Sequence, residues 1–264
     1  MNSEFYWRNK VAVVTGASTG IGASIAVHLA NVGMVVIGLA RRVELIEKLN
    51  KKVTGSGKIF WRYCDLSNER SILESFNWIR LKFYVIHVLV NNAGMLRSGL
   101  LIDASKAEID AMFNLNVVAT AVCIGEAMKH MRSMGVRSHI IVINSVLGHR
   151  IPEVPVPLFN VYPATKHALT ALCQTTRQEI HFLKLNIKLT CINPGLVDTN
   201  LLKVYSSAVD DLPKLTADDV AKAVVYALDT PDNVQVEDIM LQAIRVPEQP
   251  EEEDDEVKCC KQNI

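Results

Sequence analysis

Short apolar runs alternate with longer helical segments along most of this 264-residue chain. The runs are rich in Val and Ile and apolar on both faces, which is typical of parallel strands covered by helices. The predicted strands are Val11–Thr15, Met34–Leu39, Ile59–Tyr63, Val85–Val90, His139–Asn144, Ile187–Asn193 and a last strand near Asp238–Ala243. The predicted helices are Ile21–Asn31, Glu44–Val53, Glu69–Leu81, Ala107–Met134, Tyr162–Leu183 and Ala217–Leu228. This alternation predicts an α/β fold, a doubly wound parallel sheet of about seven strands flanked by helices.

The acidic residues are concentrated at the C-terminal end of the chain. The whole chain has 28 basic and 28 acidic residues, and residues 247–264 hold two of the bases and seven of the acids, which leaves 26 bases and 21 acids in residues 1–246. A zero net charge argues against a dedicated nucleic-acid binder. The excess of basic residues in 1–246 is compatible with an anionic ligand. Because the C-terminal stretch has almost nothing to bury, we expect a single domain over 1–246 and a disordered acidic tail over 247–264.

The cysteine spacing and the hydropathy pattern indicate a cytoplasmic protein without a metal site. Four cysteines lie singly in apolar surroundings, far apart in the sequence, and no pair has the spacing of a zinc site. Buried, reduced thiols are the simpler interpretation. The first ten residues contain no apolar core of a secretory signal, and no run approaches the length of a transmembrane helix.

The first predicted strand leads directly into a glycine-rich turn, which a helix follows. In residues 16–22, Gly-Ala-Ser-Thr-Gly-Ile-Gly, Gly16 permits the tight turn, Gly20 lets the backbone approach a pyrophosphate, and Gly22 lets the helix pack close to the sheet. The alternative is a left-handed turn that binds nothing. The residues predicted to contact the cofactor here are Gly16, Ser18, Thr19, Gly20 and Ile21.

Two arginines follow the second predicted strand, where an NAD-dependent enzyme usually carries an acidic residue. That position holds Ala40, and Arg41 and Arg42 come next. A guanidinium presents a planar fork of donors that suits a phosphate, so we interpret the pair as selecting NADP(H) through its 2′-phosphate. Arg41 is expected to contribute more, since it is nearer the strand end. The alternative is a solvated pair at a helix start, where cations are mildly unfavourable.

Polar residues follow the later strands, on the edge of the sheet where a ligand is expected. Ser145 follows the fifth predicted strand, and Tyr162 and Lys166 lie four residues apart on one face of a helix start. A cation close to a phenol favours the phenolate, and a serine hydroxyl can hold the substrate oxygen with which the tyrosine exchanges a proton. Hydride transfer between an alcohol and a nicotinamide requires this arrangement.

Together, these motifs and their order resemble the short-chain dehydrogenase/reductase family over nearly all of residues 10–243. The motifs are Thr15-Gly16-x-x-x-Gly20-Ile21-Gly22, Asn91-Asn92-Ala93-Gly94, Ser145, Tyr162-x-x-x-Lys166 and Pro194-Gly195. The resemblance implies a Rossmann-type domain with a catalytic tetrad of Asn116, Ser145, Tyr162 and Lys166, in which Ser145 and Tyr162 bind the substrate and Asn116 holds a water of the proton relay. It implies that Lys166 holds the nicotinamide ribose. Further cofactor contacts are implied for Asp65, Leu66, Asn92, Ala93, Gly94, Tyr162, Pro194, Gly195, Val197 and Thr199.

Local stretches are similar to a narrower group within the family, the insect NADP-dependent farnesol dehydrogenases and their vertebrate cytosolic relatives that reduce keto-steroids and other carbonyls. These stretches are 63–69, 148–150 and 193–199. The resemblance implies an NADP(H)-dependent oxidoreductase that interconverts a lipophilic alcohol, such as farnesol, and its aldehyde or ketone. It also implies a homodimer or homotetramer. A reductase of keto-steroids or xenobiotic carbonyls and a non-catalytic nucleotide-binding protein are the alternatives.

The segment between Ser145 and Tyr162 departs from the family pattern. It is somewhat longer than usual and contains three prolines, which stiffen a loop and remove backbone donors. We expect this loop to form a wall of the substrate pocket, so the departure bears on which substrate is bound.

Overall fold

Seven parallel strands joined by helical crossovers form one sheet in this computed structural model, which describes residues 6–153, 158–202 and 209–245. The strands are β1 (Val11–Thr15), β2 (Val35–Ala40), β3 (Lys58–Tyr63), β4 (Val88–Asn91), β5 (Ser138–Ile143), β6 (Ile187–Pro194) and β7 (Asp238–Leu241). The helices are α1 (Gly20–Asn31), α2 (Val43–Lys48), α3 (Glu69–Phe83), α4 (Lys106–Phe113), α5 (Ala119–Met134), α6 (Tyr162–Phe182) and α7 (Ala217–Asp229). The strand order β3-β2-β1-β4-β5-β6-β7 confirms the predicted doubly wound sheet.

Helices cover both faces of the sheet, and this explains the continuous apolar runs. Every residue of β1, β4 and β5 is buried. On one face, α1 and α7 pack side by side against the sheet through residues such as Ile25 and Val224. On the other face, α3, α5 and α6 pack through residues such as Phe76, Met131 and Leu169. Strands with both faces buried need no polar alternation, as the sequence indicates.

The predicted helix over Ala107–Met134 is wrong as one uninterrupted α-helix. A π-helical segment, Asn114–Val118, separates α4 from α5 and contains the buried Asn116. Apolar spacing alone does not reveal such a segment, because it adds about one residue to a turn without ending the helix. The predicted helix over Glu44–Val53 divides in a similar way, into α2 and a 3₁₀ turn at Leu49–Lys52.

The strand order places a crevice between β1 and β4. From β1 the chain proceeds to β2 and β3 on one side, and then it returns to place β4 on the other side of β1. Loops after these two strands diverge to opposite faces of the sheet and leave a crevice at the carboxyl ends of the strands. The glycine-rich turn follows β1 and the segment 92–94 follows β4, so both lie at this crevice.

One helical stretch among the described residues, Lys106–Met134, is long and apolar enough to cross a membrane by length and composition. Half of its most apolar window is buried inside the fold, as in a core helix. The predicted acidic tail, 247–264, lies outside the described residues. The four described cysteines are buried and free, as expected, and the described ranges contain no group of three or more His, Cys, Asp or Glu that could hold a metal ion.

Candidate active site

A single cleft of about 1750 Å³ lies at the carboxyl ends of the strands. It brings together every site residue predicted from the sequence except Asn116. The predicted residues that line it are Gly16, Ser18, Thr19, Gly20, Ile21, Arg41, Arg42, Asp65, Leu66, Asn92, Ala93, Gly94, Ser145, Tyr162, Lys166, Pro194, Gly195, Val197 and Thr199. These residues are separated by up to 183 positions in the sequence, and the crossovers of the sheet bring them to one edge.

The glycine-rich turn between β1 and α1 depends on glycine at two kinds of position. Gly16 and Gly20 adopt φ angles of 67° and 57°, in the left-handed region that side chains disfavour. A Cβ on Gly22 would lie 2.4 Å from Asn92 Nδ2 and 2.5 Å from the Gly16 carbonyl oxygen. The side-chain amide of Asn92 donates to the Thr15 carbonyl at 3.0 Å and so connects this turn to the end of β4.

The two arginines after β2 lie differently in the cleft. The Arg42 guanidinium reaches the glycine-rich turn and donates to Thr19 Oγ1 at 3.3 Å and Ser18 Oγ at 3.5 Å. Arg41 lies near Asp65 and helps to lower the pKa of that carboxyl, although the hydrogen bonds from Ser67 contribute more. The geometry therefore favours Arg42 over Arg41 as the residue beside the glycine-rich turn.

Asn116 lies behind the wall of the cleft, where its side chain joins two segments of that wall. Its Oδ1 accepts from the Met95 amide at 2.8 Å, and its Nδ2 donates to the Met95 carbonyl at 2.9 Å and to Thr165 Oγ1 at 3.1 Å. The π-helical segment gives the side chain this inward position within an otherwise regular helix. Asn116 therefore connects the loop after β4 to the helix that carries Tyr162. The water implied by the resemblance stays a prediction.

Ser145, Tyr162 and Lys166 are all buried, at 8%, 8% and 6% exposure. Ser145 Oγ accepts from the Leu147 amide at 3.1 Å and begins the 3₁₀ turn Val146–Gly148. Lys166 Nζ donates to the Ile143 carbonyl at 3.2 Å and lies 5.6 Å from the centre of the Tyr162 ring.

Burial dominates the acid–base properties of this group. It raises the pKa of the Tyr162 phenol and lowers the pKa of Lys166 to about 8. Each shift favours the neutral form, because a low-dielectric site penalises charge. Burial accounts for the shift in the Tyr162 pKa, and the Lys166 side chain is bonded to the Ile143 carbonyl at the end of β5. That Lys166 makes the phenol more acidic stays a prediction.

Two buried threonines support the cleft, and neither is among the site residues predicted from the sequence. Thr15 Oγ1 accepts from the amides of Asn92 and Ala93 at 3.0 and 3.1 Å. Thr165 donates to the Tyr162 carbonyl at 2.7 Å and also bonds Asn116. Their positions in the sequence could have indicated these roles, since Thr15 directly precedes the first glycine of the turn and Thr165 lies between Tyr162 and Lys166.

A family model described as short chain dehydrogenase matches residues 10–210, about three quarters of the chain. The chain belongs to the short-chain dehydrogenase family. It is therefore an oxidoreductase of a family that binds a nicotinamide cofactor, as the sequence predicts.

Members of the short-chain dehydrogenase family from animals are similar over most of this chain. Farnesol dehydrogenase of Aedes aegypti is 41% identical over 241 residues, which cover 90% of this chain and 97% of that protein. Dehydrogenase/reductase SDR family member 11 of Mus musculus is 40% identical over 247 residues, which cover 89% and 94%. These similarities confirm the resemblance to the insect and vertebrate group.

Solved structures of short-chain dehydrogenases share the fold. An alcohol dehydrogenase from the archaeon Thermococcus sibiricus, complexed with 5-hydroxy-NADP, has a TM-score of 0.80 and 28% identity, covering 92% of this chain and all of that one. A short chain dehydrogenase from Burkholderia cenocepacia, in complex with NADP, has a TM-score of 0.78 and 25% identity, covering 89% and 97%.

Proposed function

We propose that this protein is an NADP(H)-dependent oxidoreductase that interconverts a lipophilic alcohol and its aldehyde or ketone, with farnesol as the first substrate to test. The observation that carries the proposal is the single cleft, which joins the glycine-rich turn and its arginine to Ser145, Tyr162 and Lys166. Similarity to farnesol dehydrogenase of Aedes aegypti supports the choice of farnesol.

The residues of the cleft fit a dinucleotide with a 2′-phosphate. At the start of α1, Gly20 carries no side chain and adopts a left-handed φ of 57°, so the backbone can approach a pyrophosphate closely there. Gly22 leaves no room for a side chain and lets the helix pack against the turn. Arg42 directs its guanidinium to the hydroxyls of Ser18 and Thr19, and together they offer one charged and two hydroxyl donors to a phosphate. The NADP complexes of the two similar structures support this assignment.

The substrate end of the cleft has an apolar wall. Leu96 and Met112 are buried against Tyr162, and partly buried apolar side chains pack around them. These neighbours are Met95, Leu147, Leu158, Phe159, Val161, Leu202 and Val209. Such a wall favours a hydrocarbon substrate over a charged one, because burial of apolar surface stabilises the complex by about 25 cal/mol per Å².

In this site the bound cofactor would supply the hydride acceptor or donor. Ser145 accepts the Leu147 N–H, which leaves its own O–H to donate to the substrate oxygen. Tyr162, kept neutral by burial, gives a proton to a carbonyl oxygen during reduction, and its phenolate takes one from the hydroxyl during oxidation. The Lys166 ammonium donates one N–H to the Ile143 carbonyl, and its other two N–H groups can donate to ribose hydroxyls.

The test is an activity panel with the purified full chain. Farnesol, retinal and keto-steroids are each offered with both nicotinamide cofactors, and the absorbance of the reduced cofactor is followed. We expect turnover of farnesol with NADP⁺ and little with NAD⁺. Turnover of keto-steroids alone would favour the carbonyl reductase alternative. Binding of NADP⁺ without turnover of any compound would favour the non-catalytic alternative.

We also propose a cytoplasmic homodimer or homotetramer. The helical stretches Lys106–Met134 and Tyr162–Phe182 present large apolar side chains to solvent at Val118, Met134 and Phe182, which a second copy could cover. Light scattering on the purified protein measures the mass directly. A monomer at micromolar concentration contradicts this proposal and leaves the proposed reaction unaffected.

A further inference from the structure

Four polar side chains beside the cleft form a connected chain that the proposed reaction does not use. His149 Nε2 lies 3.0 Å from Asn193 Oδ1. Asn193 Nδ2 donates to Asp238 Oδ1 at 3.0 Å, and Arg177 donates to Asp238 Oδ2 at 3.3 Å. We call these four residues, from α6, β6, β7 and the turn after Ser145, the His149 chain.

The partners of Asn193 determine how its side-chain amide is oriented and which ring nitrogen of His149 carries the proton. An ionised carboxylate only accepts, so Asn193 must present its NH₂ group to Asp238. Its carbonyl oxygen then faces His149, and the short contact requires a proton on Nε2. The Cys191 thiol also donates to this oxygen, at 3.4 Å. Asn193 is fully buried, so loss of its stronger partner leaves an amide oxygen with only the weak thiol donor.

The His149 chain joins three segments that carry the proposed reaction. His149 ends the 3₁₀ turn that begins at Ser145. Asn193 directly precedes Pro194, at the turn that is predicted to contact the nicotinamide. Arg177 lies on α6, the helix that begins with Tyr162, and it also bonds the Leu189 carbonyl of β6 at 3.1 Å.

The Ser145 turn has further side-chain attachments: His149 Nε2 also lies 3.7 Å from Asp238 Oδ1 of β7, and Thr170 joins the turn to α6. Thr170 donates to the Gly148 carbonyl at 2.9 Å and accepts from Asn144 Nδ2 at 3.0 Å. The start of the turn is held to β6 through the backbone, since the Asn144 N–H donates to the Ile192 carbonyl at 2.7 Å, and the far end of the turn is held by the contact from His149 to Asn193. The placement of the far end of the Ser145 turn against the Pro194 turn therefore depends on His149.

We propose that His149 is a positioning residue: through Asn193 and Asp238 it fixes the Ser145 turn relative to the Pro194 turn, and so sets the distance between substrate and nicotinamide. The proposal rests on the proposed function. His149 touches neither reactant and transfers no proton. Its effect falls on the hydride step, where a displacement of about 1 Å can slow the reaction by up to about a hundredfold.

The experiment compares His149→Ala and His149→Gln with the wild type, using farnesol and NADP⁺. We expect His149→Ala to lower kcat about tenfold or more, with an unchanged KM for NADP⁺ and a larger primary deuterium isotope effect on kcat. His149→Gln should restore kcat to within about twofold, because its amide N–H can donate to Asn193. His181→Ala, at an exposed histidine near the end of α6, is the matched control and should behave as wild type.

A second variant keeps the test independent of folding. The Asp238 side chain is 32% exposed, so Asp238→Ala is expected to fold, to release the Asn193 amide and to lower kcat in the same direction. The double variant of His149→Ala and Asp238→Ala should be no slower than His149→Ala alone, since both changes break one chain. Additive losses, or His149→Ala within twofold of wild type, would overturn the proposal.

Hydrogen–deuterium exchange separates this proposal from the choice of substrate. In His149→Ala with NADP⁺ bound, we expect faster exchange at amides 147–149 and 195–197, and no change at the glycine-rich turn, 16–22. Unchanged exchange at both segments overturns the positioning role even if the wild type turns over no compound in the panel. Faster exchange with an inactive wild type retains the His149 chain and rejects the proposed function.

Discussion

Replacement of Arg42 by alanine tests the cofactor assignment most directly. Arg42 is exposed, and its guanidinium donates to the hydroxyls of Ser18 and Thr19 at 3.3–3.5 Å. These long contacts to neutral oxygens contribute little to stability. We therefore expect the Arg42→Ala protein to fold normally and to lose affinity for the 2′-phosphate alone.

The magnitude follows from the number of charge-assisted hydrogen bonds lost. One such bond contributes about 1.5–3 kcal/mol net, which corresponds to about 10- to 150-fold in kcat/KM for NADP⁺. Arg41 shares its charge with Asp65, so Arg41→Ala should cost only about 0.5–1 kcal/mol, or about two- to fivefold. The larger loss is thus assigned to Arg42, whereas the sequence alone favours Arg41.

Steady-state kinetics with NADP⁺ and NAD⁺ on both variants provide the measurement. The value of kcat/KM for NAD⁺ should not fall in either variant, because NAD⁺ lacks the phosphate. Arg70→Ala, at an exposed arginine of α3 paired with Glu74, is the control. Equal losses with both cofactors, or a wild type that uses NAD⁺ as well as NADP⁺, would refute the reasoning. A larger loss in Arg41→Ala would reinstate the expectation from the sequence.

Four further outcomes are expected. Tyr162→Phe should lower kcat by about 10²–10⁴ while NADP⁺ still binds, as checked by fluorescence titration, because the phenol exchanges the proton; more than half of the activity retained would contradict this. Lys166→Ala should lower both kcat and NADP⁺ affinity, and a change in only one would remove one of its two roles. Gly22→Ala should raise KM for NADP⁺ and lower Tm, with a cost of about 1–3 kcal/mol, since its Cβ would meet Asn92 Nδ2 at 2.4 Å. Deletion of 247–264 should leave Tm and kcat unchanged if 1–246 is the whole domain, and calorimetry and kinetics measure both.

The sequence by itself determined the layered fold and most of the cleft. Continuous apolar runs, such as Val11–Thr15, indicate strands buried on both faces, and their alternation with helices allows few arrangements other than a doubly wound sheet. Residues that follow strands, such as Ser145, must then meet at one edge, because parallel strands all end there. These inferences rely on local periodicity and on a general rule of topology, so they need no coordinates.

Only the tertiary structure decided contacts that depend on packing and register. It placed a π-helical segment at Asn116, directed Arg42 and not Arg41 to the glycine-rich turn, and buried the Tyr162 phenol beside Lys166. It also joined His149 to Asn193, 44 residues away. Local sequence fixes which face of an element is apolar, but the partner of a polar side chain is set by the rotation and spacing of whole elements, which many distant contacts determine together.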